Sequence, residues 1–439
     1  MKSALLRLIL YVVIVIGPVV AASVLGHHSN NVLHETGKCF ALAGFMILAL
    51  QFFLAARVKW IERAFGLDIL IRFHKHMALL GVLLLLSHPL LLAAGDAGWG
   101  LIIGISLPWY IWLGKAALVV LIINVVLSVY QVSLKLTFEK WRIAHNISGI
   151  LIIAFVFTHS WIAGDDLELY SMQFLWILIL ILTALIYIYH RILRPRMLKK
   201  RPYRVIDVNP ETENVWTVKL APPEGEKVTP YLPGQFHFIT FYRGRDLPVE
   251  EHHWTISSSP AEKEYVSSTI KALGDFTSTM GETRAGDKAA VHGAFGRFSY
   301  ALHPEERDLA FIAGGIGITP LISMLRHMRD MGDKRSVLLF YANPSEDQIL
   351  FRRELAEMEK DRHPLLKVVH VLSRPDDAWT GERGHVDREK IERILGGDLK
   401  GKVFYVCGPP EMLKAVVGTL RDLGVADGQI RLEIFSFLD

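Results

Sequence analysis

The sequence predicts a multi-domain chain: an α-helical bundle of six membrane spans, then a small antiparallel β-barrel, then a doubly wound α/β domain. Three observations predict it. Apolar residues make up 51% of 439 residues and the mean hydropathy is +0.31, more than one water-soluble protein carries. That apolar excess is gathered before about residue 193, whereas the remainder mixes charges, glycines and prolines. Beyond about residue 308, short apolar strands alternate with helical stretches, the pattern of a parallel sheet covered by helices.

A helix crosses a hydrocarbon core in roughly 20 apolar residues. Stretches at about 5–25, 37–57, 69–94, 109–131, 141–162 and 171–192 meet that length. An even number of spans returns both ends to one side. Lys2, Arg7, Arg57, Lys59, Arg63, Arg72, Lys75, Lys135, Lys140, Arg142 and the basic run from Arg191 through Arg201 fall on that side. The opposite loops carry essentially Lys38 alone among Lys and Arg, beside Glu35, Asp96, Asp165, Asp166 and Glu168. The positive-inside rule then puts the hydrophilic half in the cytosol and the bundle in the cell (inner) membrane. Trp60, Trp99, Trp109, Trp141 and Trp161 stand near span ends, where an amphipathic ring suits the interface. The first stretch, with Lys2 and Arg7 ahead of it and Ala21, Ala22 and Ser23 behind, also reads as a cleaved signal peptide. The net charge of +4 is small and the basic residues sit at membrane edges, so a lipid bilayer is an expected partner and nucleic acid is not. Cys39 and Cys407 are the only cysteines, which excludes a disulfide framework or a thiolate metal cluster and suits a reducing cytosol.

An ionisable side chain at membrane depth is costly and calls for a partner. His74 and His88 are fourteen residues apart in the third stretch, and His145 and His159 are fourteen apart in the fifth. Fourteen residues is close to four helical turns, so each pair shares a face and is separated by about 21 Å along the axis. The third and fifth spans run in the same direction, which levels His74 with His145 and His88 with His159. Imidazoles facing each other from two helices suit the axial positions of low-spin haem iron. Two stacked b-type haem sites are expected, with these four histidines as the metal ligands. The alternative is four buried histidines bonded to backbone or to one another, and two copies of one spacing speak against it. His76, two residues from His74, points nearly the other way and is assigned a structural or headgroup role. His27, His28 and His34 in the first outer loop are open to a metal or an acceptor, although loop histidines seldom bind anything specific.

The expected domains are a six-helix haem domain over 1–193, a basic linker over 194–202, a β-barrel over 203–303 and an α/β domain over 304–439. The linker run, Arg194 to Pro202, is basic and proline-bounded and suits anionic headgroups. Segments such as Arg204 to Val208 and Gln235 to Ile239, separated by turn residues, read as barrel strands. In the last domain strands are expected at 309–313, 336–341, 366–372 and 402–406, and helices near 319–330, 346–360, 387–395 and 410–423. Ala313-Gly314-Gly315-Ile316-Gly317-Ile318-Thr319-Pro320 follows the first of these strands and opens a helix, a turn that lets backbone approach a pyrophosphate. Cys407-Gly408-Pro409-Pro410 follows another strand, at the carboxyl edge where open α/β sheets bind ligands.

These motifs together resemble the NADPH oxidase and ferric reductase superfamily, prokaryotic-type: a six-helix haem domain fused to a ferredoxin-NADP-reductase-like module. The resemblance covers nearly the whole chain. Phe73-His74-Lys75 with the step to His88 is similar to the family's third-helix haem motif, and Trp141-Arg142-Ile143-Ala144-His145 to the start of its fifth helix. Pro233-Gly234-Gln235-Phe236 and His252-His253-Trp254-Thr255-Ile256-Ser257-Ser258 resemble its flavin-binding strands, which implies FAD contacts from His252, Trp254 and Thr255. Gly274-Asp275-Phe276-Thr277 resembles the segment under the FAD pyrophosphate, with Thr277 and the backbone as donors. Gly315, Gly317, Thr319 and Pro320, with Cys407, Gly408 and Pro409, match its two nicotinamide-nucleotide motifs. Glu433-Ile434-Phe435 is similar to the ending whose aromatic residue stacks on the flavin ring until nicotinamide displaces it, which implies that role for Phe435, with Phe437 as competitor.

The function implied is a transmembrane NAD(P)H-dependent oxidoreductase. Hydride is two electrons and haem iron accepts one, so flavin must lie between them. The expected order is NADPH or NADH, FAD, the His74/His145 haem, the His88/His159 haem, and an outer acceptor: oxygen, a ferric or cupric chelate, or a quinone. Charge then crosses the membrane and turnover is electrogenic. Two alternatives stay open: electron donation to a separate membrane or periplasmic redox partner protein, and a non-redox transporter with proton-relay histidines. Asn343 stands where NADPH-binding relatives often have an arginine, which leaves NADH open, with Arg374 as a substitute. Leu92 stands where animal oxidases carry a further histidine, which leaves superoxide production open.

Overall fold

The structure, a computed structural model, describes residues 2–396 and 399–434. It divides into two compact units, Met1–Arg194 and Pro195–Asp439.

The first unit holds six helices long and apolar enough to cross a membrane. They are α1 (Lys2–Leu25), α2 (Val32–Ala55), α3 (Leu67–Leu92), α4 (Trp109–Val129), α5 (Phe138–Ala163) and α6 (Tyr170–Ile188). Their bodies coincide with the six stretches read from hydropathy. Caps set two of the starts: the Asn31 side chain accepts from the Leu33 and His34 amides below α2, and Thr137 accepts from the Lys140 amide below α5. α2 is the hub of the bundle. Of its apolar window 61% is buried, against 17–22% for the other five, and Phe45, Met46, Ile47 and Ala49 are almost wholly enclosed. Lipid contacts cannot drive apolar helices together, so close packing must. Gly44 of α2 provides it, since a Cβ there would lie 2.7 Å from Leu85 of α3. Trp176 of α6 stacks on Phe45 at 5.0 Å and donates its indole N–H to Ser160 of α5 at 3.0 Å. The other helices expose leucine, isoleucine and valine along their outer faces, such as Leu83, Ile123, Ile150 and Leu185, as a lipid-facing surface does.

α6 continues through a π-helical turn, Tyr189–Leu193, into a helix over Arg194–Lys200, so most of the run expected as a linker is helical. Pro195 follows directly on that π-helical turn, a local widening at which a helix carries a proline without ending.

In the second unit β1 (Tyr203–Thr212), β2 (Val215–Ala221), β3 (Phe236–Tyr242), β4 (Glu251–Thr255), β5 (Val266–Lys271) and β6 (Lys288–Phe295) form an antiparallel sheet in the order β4-β3-β6-β1-β2-β5. Its two edges are joined by the Ser257 amide donating to the Ser267 carbonyl at 2.8 Å, which closes the sheet toward a barrel. Val205, Val218, Leu220, Ile239 and Phe241 fill its interior.

A second sheet follows: β7 (Asp308–Gly314), α7 (Ile318–Asp330), β8 (Ser336–Asn343), α8 (Arg352–Asp361), β9 (Leu365–Leu372), β10 (Glu382–Arg383), α9 (Arg388–Leu395), β11 (Lys402–Cys407), α10 (Pro410–Asp422) and β12 (Ile430–Glu433). All its pairings are parallel, in the order β10-β9-β8-β7-β11-β12. The chain leaves β7 toward β8 on one side and returns to β11 on the other. The crevice between β7 and β11 is therefore the switch point where such sheets hold ligands. The expected helix over 346–360 begins later, at Arg352, after a 3₁₀ turn at Glu346–Gln348. β10 and β12, two and four residues long, are additional to the expected strands.

Candidate functional site

In the membrane unit, His74 of α3 and His145 of α5 face each other with ring centroids 6.2 Å apart and planes at 60°. A metal ion at roughly 2 Å from one nitrogen of each of two facing imidazoles puts their centres on the order of 6 Å apart. The pair therefore fits around one ion. The rings are also oriented from outside. His145 Nδ1 donates to Oδ1 of Asn124 on α4 at 2.8 Å, with the Ser128 hydroxyl 3.3 Å away, and the Trp141 indole stacks on the ring at 5.2 Å. His88 Nδ1 donates to the Gly37 carbonyl and His159 Nδ1 to the Tyr110 carbonyl, both at 2.9 Å. His88 and His159 lie within electrostatic reach of each other. His74 Nδ1 faces the Gln51 backbone and makes no hydrogen bond among the described residues. Anchoring Nδ1 fixes the tautomer and leaves Nε2 free to ligate.

Asn124 and Ser128 were not legible as parts of this arrangement, whereas Trp141 was read in the same motif as His145; the signal for Asn124 was a carboxamide inside an otherwise apolar span. His76 is exposed and bonds the Arg72 carbonyl of its own helix at 2.7 Å, a structural role. His34, expected in a loop, lies in the first turn of α2 and pairs with Asp96, and His28, in the loop before it, lies 3.7 Å from Glu35. Lys115, also missed, donates to the Ile102 carbonyl at 2.8 Å.

In the barrel, His252 and Trp254 stand on β4 and converge on Phe276, which follows Gly274 in a short helical turn. The His252 ring is 4.3 Å from Phe276 and the Trp254 ring 6.0 Å. Thr255 ends the same strand and is buried. The Thr277 hydroxyl accepts from the Leu273 and Gly274 amides at 2.8 and 3.0 Å and donates to the Gly274 carbonyl at 3.2 Å, so it caps its own turn. Arg243, absent from the sequence expectations, is buried over Phe276 at 4.9 Å and donates to the Thr279 carbonyl at 2.9 Å, pinning the turn from beneath.

At the switch point the two glycine motifs touch. A Cβ on Gly317 would lie 2.3 Å from the Cys407 carbonyl oxygen, and one on Gly408 3.1 Å from the Gly314 amide nitrogen. Gly315 has φ +53° and open space at its Cβ position. Thr319 and Pro320 are buried in the first turn of α7, with the Thr319 hydroxyl donating to the Ile316 carbonyl at 3.0 Å. Cys407 is fully buried, which pushes its thiol well above the ordinary range. Pro409 caps α10. Asn343 ends β8, buried, with neither amide atom bonded among the described residues. Phe435 lies outside the described residues, as does Phe437.

Two families match. Residues 40–156 match the ferric reductase like transmembrane component, a stretch that includes His74, His88 and His145. Residues 311–418 match the oxidoreductase NAD-binding domain, which includes both glycine motifs. The chain thus carries a stretch similar to a ferric reductase like transmembrane component and, after it, a stretch similar to an oxidoreductase NAD-binding domain. Among curated proteins to which the chain is similar, NADH-cytochrome b5 reductase 1 of Dictyostelium discoideum is 33% identical over 40% of the chain and 62% of its own length. The flavohemoprotein of Oceanobacillus iheyensis is 25% identical over 54% of the chain and 60% of its own length. The chain thus spans about 60% of the length of these relatives. Among solved structures, the flavohem-like FAD/NAD binding domain of nitric oxide dioxygenase from Vibrio cholerae aligns over 53% of the chain and 97% of its own, at 23% identity and TM-score 0.48.

Proposed function

We propose that this oxidoreductase carries electrons from cytosolic NAD(P)H across the cell (inner) membrane, through FAD and two b-type haems, to a small acceptor on the outer side. The observation that carries the reading is the facing of His74 and His145 at 6.2 Å from two different membrane helices. The uneven distribution of Lys and Arg supports the orientation. The chemistry that a bound flavin would supply is the change from two-electron hydride transfer to one-electron transfer.

The chain's own residues position and exclude. His74 and His145 would hold one haem and His88 and His159 the other, each through Nε2. Gly315 and Gly317 keep the crevice at the switch point free of side chains, so that backbone approaches the nucleotide phosphates. His252 and Trp254 on β4, with Gly274 and the turn after it, would hold the flavin. Phe435 is proposed as the aromatic residue against its ring. Asn343 and Arg374, at the ends of β8 and β9, are the groups that would decide between NADH and NADPH.

Arg243 supports the flavin segment from below. Arg243→Ala removes a buried cation–π contact of about 2 kcal/mol and loosens the turn, so the hold on the flavin is expected to weaken. The flavin-to-protein ratio after gel filtration reads the loss, and an unchanged ratio contradicts the assignment.

The function is tested by oxidation kinetics of NADH and NADPH, with oxygen, a ferric chelate and a quinone compared side by side. A superoxide-dismutase-sensitive readout accompanies each. Haem reduction followed by turnover with one acceptor supports the reading. NAD(P)H oxidation that never reduces haem overturns it.

A further inference from the structure

We propose that Asn124 is the positioning residue of the His74/His145 haem site, holding His145 by its side chain and setting the potential of that haem apart from the other. The proposal rests on the haem reading above.

A carboxamide inside an apolar span is costly unless it is bonded. Asn124 is 9% exposed, and its Oδ1 accepts from His145 Nδ1 at 2.8 Å. Only the oxygen of the amide can accept, so the contact keeps the imidazole proton on Nδ1 and directs Nε2 toward the iron. The Ser128 hydroxyl is a weaker rival: its proton goes to the Asn124 carbonyl at 2.7 Å, and it accepts from the Trp141 indole at 3.2 Å. Trp141 in turn stacks on His145, so the ring is held edge-on by Asn124 and face-on by Trp141.

The other three ligand histidines are arranged differently. α2 packs chiefly against α3, and α4 chiefly against α5. Gly37 and Gln51 on α2 meet His88 and His74, while Tyr110 and Asn124 on α4 meet His159 and His145. Each scaffold helix thus repeats the fourteen-residue step of the ligand helix that it supports. Gly37 and Tyr110 present main chain, which every sequence carries, and His74 Nδ1 makes no hydrogen bond among the described residues. Asn124 bonds its histidine through a side chain, which substitution can tune.

An acceptor on Nδ1–H raises the basicity of Nε2 and favours ferric over ferrous iron, which lowers the potential. The His88/His159 site keeps its two main-chain acceptors whatever stands at position 124, so a substitution there acts on the His74/His145 haem alone. Asn124→Leu removes the acceptor, and Asn124→Asp strengthens it.

The test is a spectroelectrochemical titration of the full-length purified protein, resolved into two one-electron haem waves. In Asn124→Leu one wave moves to higher potential by a roughly tenfold change in its equilibrium constant, about 59 mV, while the other stays. In Asn124→Asp the same wave moves the opposite way. If the leucine variant loses haem, the aspartate variant decides alone. Two stationary waves, or two waves that shift together, overturn the proposal. A wild-type protein with no haem titration removes the haem reading itself and is a different failure.

Discussion

Replacing His74 or His145 with leucine is expected to remove half of the bound haem and bring electron delivery to the outer acceptor down to background. Each proposed site consists of two imidazoles, and iron held by one of them would lose half of its axial field. Among the described residues the candidate replacement is His76. His76 points away from the pair and is bonded to the Arg72 carbonyl. Hydride transfer survives, because the nucleotide crevice belongs to the other unit. A pyridine–haem assay set against protein mass, with NAD(P)H-driven flavin reduction measured in parallel, checks both halves of this expectation. Undiminished haem in either variant sinks the ligand assignment.

Gly317→Val is expected to give the opposite pattern, with haem intact and nucleotide use abolished. The new Cβ would lie 2.3 Å from the Cys407 carbonyl oxygen and 2.8 Å from the Gly408 amide nitrogen. Both are backbone atoms on the neighbouring strand end, so the contact is relieved only by prying β7 and β11 apart where the crevice must stay closed. Overpacking of this kind costs about 1–3 kcal/mol. A lowered melting midpoint, loss of NAD(P)H oxidation and an unaltered haem spectrum are the readouts. Gly418→Ala on α10 is the control: no atom lies within 4 Å of its Cβ position, and a mid-helix glycine gains about 1 kcal/mol on replacement by alanine. Normal nucleotide kinetics in Gly317→Val would contradict the role given to the crevice.

These two predictions draw on features of different legibility. The six spans were readable because a bilayer demands a length and polarity from each helix separately. The histidine steps were readable because helical periodicity is local, so His74, His88, His145 and His159 could be paired before any packing was known. The glycine motifs were readable for the same reason. What holds the histidines was hidden, because Asn124 and Ser128 act from a neighbouring helix and a contact between helices has no sequence period of its own. Arg243 was hidden likewise, since its place over Phe276 arises only when the strand and the turn meet in the folded barrel. The run after Leu193 was legible as the exit from the membrane unit, and the chain divides at Arg194/Pro195. Its secondary structure was not legible, because basic residues and prolines do not show that the helix continues to Lys200.

Sealed proteoliposomes test transmembrane electron transfer most directly, with NADH or NADPH supplied outside and a membrane-impermeant ferric chelate trapped within. The expected result is that the enclosed chelate is reduced, that haem reduction precedes it, and that His145→Leu abolishes it. A chelate that stays oxidised inside the vesicles, while the same protein in detergent reduces it freely, would contradict the claim that electrons cross the bilayer through this bundle.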